Sequence, residues 1–255
     1  MAFNLDQIKA LQFHMVTPRL QLCGTWNRPS QFESFLEFMV KQEVEIVLPC
    51  QGKSGVIIAF DDGEESIYHY AFPLLKKFSI KAIVFVVVGY IGCKSLWDIS
   101  LSGRHSNHLS WDQILEMKEW GIDFGSHTLT HRDLTKLSTA ELEQELSGSK
   151  AILEKKLGVI DSLSYPFNRV NARVLVKTRE AGYRHGFGGD GSDVLLIKKE
   201  AVYVTDNTHS LSVKIYQQPR LTYKYERFKQ KIINFFTLAT MLKRPNSLDR
   251  REEVS

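Results

Sequence analysis

The sequence predicts an α/β fold built on a parallel sheet, open or closed into a barrel, and three observations carry that expectation. Apolar runs of strand length alternate with stretches of helical periodicity along most of the 255 residues, an order that generates parallel sheets. Two of these runs, 56–60 and 82–88, are continuously apolar and rich in β-branched residues, as strands covered on both faces are. Three capping boxes, Ser30 with Glu33, Ser110 with Gln113 and Ser138 with Glu141, each announce a helix.

In chain order, 11–16 reads as a first strand with His14 near its end and Pro18 closing the turn. Phe35, Leu36, Met39 and Val40 continue at helical spacing, which predicts a helix over 31–41 and then a short strand within 43–49. The strand at 56–60 ends in Asp61-Asp62-Gly63, and Tyr68, Phe72, Leu74 and Leu75 mark a helix to about 78. After the 82–88 strand, 90–109 has the composition of a long surface loop. Then follow a helix at 111–120, a strand at 122–125, and a long helix at 139–157 stopped by Gly158. A strand at 161–165 broken by Pro166, a helix at 172–181 and strands at 183–187 and 201–205 complete the body.

Composition narrows the function. With 43% hydrophobic residues the chain can bury a large core. Residues 221–255 hold eight Lys/Arg and four Asp/Glu, leaving 25 of each sign in the rest, so the body is neutral and only the tail is basic. A neutral body argues against nucleic acid as the partner, because phosphate recognition wants a clustered positive surface. Cys23, Cys50 and Cys93 are odd in number and widely spaced, giving neither a disulfide framework nor a zinc pair; reduced, buried thiols are expected. The first ten residues lack a signal-peptide core and no apolar run is long enough to span a membrane, so a cytoplasmic location is the expectation.

In parallel sheets, sites form where strand carboxyl ends converge. The strand ends here carry His14, Asp61 with Asp62, Ser126 with His127, and Tyr165-Pro166-Phe167-Asn168. His127 and His131 are four apart and would face one way on a helical turn, with a metal as one use and two surface histidines as the other. Two adjacent carboxylates repel unless a proton or cation intervenes. They reach one pocket only if the strand has already ended there, a bend Gly63 would permit; a simple helix cap is the alternative. The Tyr165–Asn168 stretch is a proline turn whose backbone N–H groups could hold an oxyanion.

Taken together and in this order, Phe60-Asp61-Asp62-Gly63, Ser126-His127-Thr128-Leu129-Thr130-His131 and Ser164-Tyr165-Pro166-Phe167-Asn168 resemble three motifs of the NodB-homology polysaccharide deacetylases, carbohydrate esterase family four. Phrases between them also match, among them Trp111-Asp112-Gln113-Ile114 and Arg179-Glu180-Ala181-Gly182-Tyr183, and the resemblance covers roughly residues 11 to 217. It implies a distorted (β/α) barrel over residues 1–220. It makes Asp61 the general base, and makes Asp62, His127 and His131 the ligands of a divalent metal, usually Zn2+. The Phe167 N–H becomes an oxyanion donor, and the substrate an N-acetylated oligo- or polysaccharide of GlcNAc-type units. Rivals are a related amide or imide hydrolase on the same fold and an inactive carbohydrate-binding barrel.

Three departures qualify the match. There is no late Leu-x-His motif; Leu11-Gln12-Phe13-His14 is similar instead to the permuted poly-N-acetylglucosamine deacetylase subgroup, making His14 the general acid, with His209 the alternative. Ser164 stands where many relatives have an arginine that orients the base, and Asn168 stands in place of a glycine. His69, His105, His108 and His185 fall outside the motifs and read as solvated or packed, and Trp97 and Trp111 are left out of the site. The tail, 221–255, has amphipathic spacing from Tyr223 to Leu242. It is expected either to pack on the barrel or to contact a membrane surface or partner.

Overall fold

The structure, a computed structural model, describes residues 8–21, 24–94 and 106–241, and of Ile8 and residues 231–241 the backbone alone. The chain begins with β1 (Ile8–Phe13), the short strands β2 (Met15–Val16) and β3 (Trp26–Asn27), α1 (Pro29–Lys41) and β4 (Gly55–Phe60). Next come α2 (Phe72–Phe78), β5 (Ile83–Val86), α3 (Trp111–Trp120), β6 (Asp123–Ser126), α4 (Thr139–Glu143) and α5 (Ser149–Leu157). The chain continues through β7 (Ser162–Ser164), α6 (Ala172–Glu180), β8 (His185–Phe187), β9 (Lys199–Ala201), α7 (Thr208–Tyr216) and α8 (Arg220–Met241).

The main sheet is wholly parallel, in the order β8-β7-β6-β5-β4-β1-β9. Its two edges almost meet: just ahead of β9, Ile197 bridges Phe187 of β8, with its N–H donating to Gly186 and its carbonyl accepting from Gly188. The result is a distorted barrel nearly closed on itself. Strand alternation sorts its side chains. Ala10, Ile57, Ala59, Ile83, Phe85 and Phe187 form a small apolar cluster, while Leu11, Phe13, Val56, Ile58, Phe60, Val84 and Leu163 join the larger core that includes residues of the helices. Continuing the first alternation up the strands puts Gln12 and His14 above Ala10, and Asp61 above Ala59.

Gly125 shows how tightly the small cluster is filled: a Cβ there would lie 2.5 Å from the Phe85 ring and 2.8 Å from the Ser162 carbonyl. The helix caps mostly follow the sequence, with Ser110 and Ser138 each capping reciprocally with Gln113 and Glu141. At α1 the box is shifted. Arg28 is the N-cap, Pro29 takes the first turn where a missing N–H costs nothing, and Gln31 reaches back to the cap, so the helix starts two residues before its expected place. The expected 43–49 strand reduces to one bridge, Ile46 with Val56. The last strand lies at 199–201 rather than 201–205, and 208–216, unassigned from sequence, is helical.

Cys50 and Cys93 are free but exposed, contrary to expectation, because each lies in a surface turn. Cys23, Trp97 and His105 fall outside the described residues. Among the described residues no helix is long and apolar enough to cross a membrane.

Gly125→Ala should cost about 1–3 kcal/mol of unfolding free energy through overpacking. Phe85→Leu in the same chain should recover only part of that cost, since the clash with the Ser162 carbonyl remains; urea titration of the single and double variants checks both.

Candidate active site

Chain reversal at the end of β4 brings both aspartates into one pocket. Asp62 is left-handed at φ 68° and Gly63 follows at 66°. A Cβ on Gly63 would meet Val86 Cγ1 at 2.7 Å, so both conformation and space require glycine. Asp61, still in strand alternation, and Asp62, turned back, therefore present different faces of the same pocket.

Asp62 Oδ1 lies 3.3 Å from His127 Nε2 and 3.4 Å from His131 Nε2. Two donors held by one zinc ion at about 2.0–2.1 Å in a tetrahedral arrangement sit roughly 3.3–3.4 Å apart, so these separations fit a shared cation. The oxygen is also buried with no hydrogen-bond partner, which a cation would satisfy. Asp62, His127 and His131 are the one group of metal-ligating side chains that converge in this way among the described residues.

The two histidines do not share a helical turn, as their spacing had implied. Residues 127–133 form a loop in which Thr128 and His131 both take positive φ. Buried Glu145, in the widened helical turn Gln144–Gly148 between α4 and α5, holds this loop. Its carboxylate accepts from the N–H groups of Leu129 and Thr130, each at 2.9 Å, and from the Thr130 hydroxyl. His131 N–H donates to the Thr128 hydroxyl. His127 Nδ1 donates to the Ser164 carbonyl at 2.8 Å, so its Nε2 lone pair is the one facing Asp62.

Asp61 sits outside this ligand set. Its Oδ2 accepts from Gln12 Nε2 at 2.5 Å and from Lys199 Nζ at 2.7 Å, while its Oδ1 is buried with no hydrogen-bond partner. Lys199 also donates to Ser164 Oγ at 2.7 Å. Burial would raise the Asp61 carboxyl, but the charge of Lys199, helped by His127 and His14, overrides it and holds the pKa at about 2. Burial similarly opposes ionisation of Asp62, and the adjacent His127 imidazole, with those of His131 and His14, brings it well below the carboxylate range.

His14 is close enough to feel both aspartates, though burial outweighs their pull and lowers its pKa. Its Nδ1 is buried and unpartnered. His209 is exposed in the first turn of α7. Phe167 lies in the turn after β7 at φ 58°, its ring 4.8 Å from that of His131 in an edge-to-face contact. Within that turn Asn168 N–H donates to Tyr165 and Arg169 N–H to Pro166, leaving the Phe167 N–H unengaged by the turn itself.

Sequence reasoning missed Gln12, Lys199 and His108. Gln12 carried a signal, since it is two residues before His14 and so on the same face of the strand. Lys199 carried none, being one of two adjacent lysines whose burial depends on the register with β1. His108 Nδ1 donates to the Asp62 carbonyl at 3.0 Å, supporting the backbone of the reversal from a loop far off in sequence.

The family model described as polysaccharide deacetylase matches residues 49–186. A Bacillus subtilis (strain 168) protein, YxkH, is 33% identical over 132 residues, which are 51% of this chain and 43% of that protein. A Staphylococcus aureus (strain MRSA252) poly-beta-1,6-N-acetyl-D-glucosamine N-deacetylase is 26% identical over 178 residues, covering 62% of this chain and 59% of that protein. The chain thus spans about half the length of these relatives. Among solved structures, the Streptococcus pyogenes deacetylase PplD in complex with acetate has a TM-score of 0.70 at 23% identity, covering 82% of this chain and 97% of that one. IcaB from Ammonifex degensii has a TM-score of 0.66 at 24% identity, covering 77% and 91%. These two establish a shared barrel fold; with a family match over more than half its length, the chain belongs to the polysaccharide deacetylase family.

Proposed function

We propose that the chain is a divalent-metal-dependent hydrolase that removes N-acetyl groups from GlcNAc-type units of a polysaccharide or glycan precursor. The observation that carries this reading is one pocket holding the triad Asp62, His127 and His131 beside a second carboxylate, Asp61, that the triad does not use. Two imidazoles and one carboxylate suit zinc and leave a coordination position open. The activity named for the Staphylococcus aureus relative supports the GlcNAc-type substrate.

When bound, the ion would polarise the acetamide carbonyl and acidify water. The chain's own groups do the remaining work. Asp61 Oδ1 is the free acceptor, since Gln12 and Lys199 occupy Oδ2, and it takes the proton of the attacking water. The Phe167 N–H donates to the oxyanion that forms as the carbonyl carbon becomes tetrahedral. In its protonated form, which the charges of Asp62 and Asp61 favour against burial, His14 gives its proton to the departing sugar amine as the C–N bond breaks.

Asp61→Asn should retain metal, measured by elemental analysis, and lose about 10²–10⁴-fold in acetate release from chito-oligosaccharides. Absence of metal in the native chain, or undiminished turnover in the variant, would sink the mechanism.

His14→Ala should likewise keep its metal while turnover falls by a similar factor of about 10²–10⁴. Parallel kinetics on His209→Ala check the assignment, with near-native rates expected there.

Lys199→Met removes the charge that holds Asp61 at about 2 and leaves burial to raise it. Because the base works ionised, the acid limb of the kcat/KM profile should move to higher pH. Stability should fall by about 3–5 kcal/mol, the usual cost of stranding one member of a buried ion pair. In the native chain the depressed pKa contributes stability above the unfolded value of about 3.9, lost as pH falls toward the folded one. Chemical denaturation as a function of pH reads both.

A further inference from the structure

Helix α8 packs on the barrel with its polar side inward. Tyr223 Oη donates to Glu200 at 2.6 Å and accepts from Lys198 at 2.8 Å. Glu226 accepts from the Ser210 hydroxyl at 3.0 Å, and Lys229 reaches Asp206 at 2.7 Å and Glu226 at 2.6 Å. Gln230 is buried on the same side. The opposite side carries Leu221, Tyr225 and Phe228, spaced i, i+4, i+7 and 80%, 65% and 61% exposed. A helix serving only to cover a barrel would turn that stripe inward. This one is inverted, and the sequence keeps the same spacing at Ile232 and Phe235.

Charge identifies what the stripe meets. The helix holds five Lys/Arg and one glutamate; Arg227 and Lys229 are paired with Glu200, Asp206 and Glu226 on the inward side. Arg220 and Lys224 are exposed beside the stripe. We propose that α8 is an interfacial helix that lays Leu221, Tyr225 and Phe228 into an anionic lipid bilayer surface while its polar side stays clamped to the barrel. An apolar stripe flanked by basic residues gains from both the acyl boundary and acidic headgroups. A second copy is the poorer occupant, because pairing two such helices through this face sets like charges together. The helix lies on the surface rather than crossing it, since its charges and hydropathy do not suit a span.

The test is flotation of the full chain with vesicles of equal parts phosphatidylglycerol and phosphatidylcholine, against phosphatidylcholine alone. The native chain should float with the anionic vesicles. Binding should weaken when salt is raised from about 0.1 M to about 1 M, which shortens the screening length from about 10 Å to about 3 Å. In Leu221→Ser/Tyr225→Ser/Phe228→Ser the partition constant should fall at least about tenfold. Zinc binding and the circular-dichroism melt should be unchanged, as these side chains are exposed and lie outside the site. If the triple variant misfolds, Arg220→Glu/Lys224→Glu tests the same surface, again with loss of binding expected. The proposal is overturned if the native chain does not float, or if a folded variant floats as well as the native chain. A concentration-dependent dimer in sedimentation velocity that the variant dissolves, without vesicle binding, would also overturn it and assign the face to a second copy.

Discussion

The Lys199–Asp61 ion pair is the constraint on which the rest of the site depends. Lys199 enters from β9, at one edge of the sheet; Asp61 follows β4, and the second acceptor, Ser164, ends β7 across the barrel. One ammonium therefore ties three strands together at the barrel mouth. A buried charge is tolerated when paired and hydrogen-bonded, and here both conditions hold for Lys199. Sheet order puts β9 two strands from β4, and the near-closure of the barrel brings it within reach of Ser164 on β7. Fold and electrostatics are thus linked, because opening the sheet at its β8 and β9 edges would take Lys199 away from Ser164 on β7, while Asp61 stays two strands off through β1.

The same pair explains how two adjacent aspartates come to have different surroundings. Two carboxylates side by side would ordinarily share a proton. Here Asp61 takes its compensation from Lys199, while Asp62 faces His127 and His131, where a shared cation would compensate it, so each carboxylate has its own place for a positive charge. The left-handed turn at Asp62 accomplishes the separation by rotating one carboxylate toward the 127–131 loop. Glu145 and His108 then hold the loop and the turn through backbone contacts, without touching the ligating atoms themselves.

Much of this was legible in the sequence, and what was not has a physical reason. Continuous apolar strands and capping boxes announced the alternation, and Asp61, Asp62, His127, His131 and Phe167 lie in contiguous motifs that a linear reading can find. The convergence of His127 and His131 was expected for the wrong reason: helical spacing was assumed, whereas a loop with two positive φ values brings them together. Lys199 was invisible because its burial is a property of strand register, and two neighbouring lysines look like surface. The α1 start was misplaced because Arg28 and Gln31 can form the capping geometry that Ser30 and Glu33 advertise.

The substitution at Ser164 follows from the position of Lys199. An arginine at the end of β7, expected from the resemblance, would bring its guanidinium into space already crossed by the Lys199 side chain on its way to Asp61. Two cations there would repel, and only one carboxylate oxygen, Oδ2, faces them. Serine resolves the conflict. It is small enough to admit the ammonium, and its hydroxyl oxygen accepts one of the lysine's three protons. Gln12 adds a neutral donor to the same carboxylate oxygen, orienting Asp61 without further positive charge. In the proposed mechanism the cation beside Asp61 therefore comes from β9 rather than from β7, and Asp61 Oδ1 stays open to accept a proton.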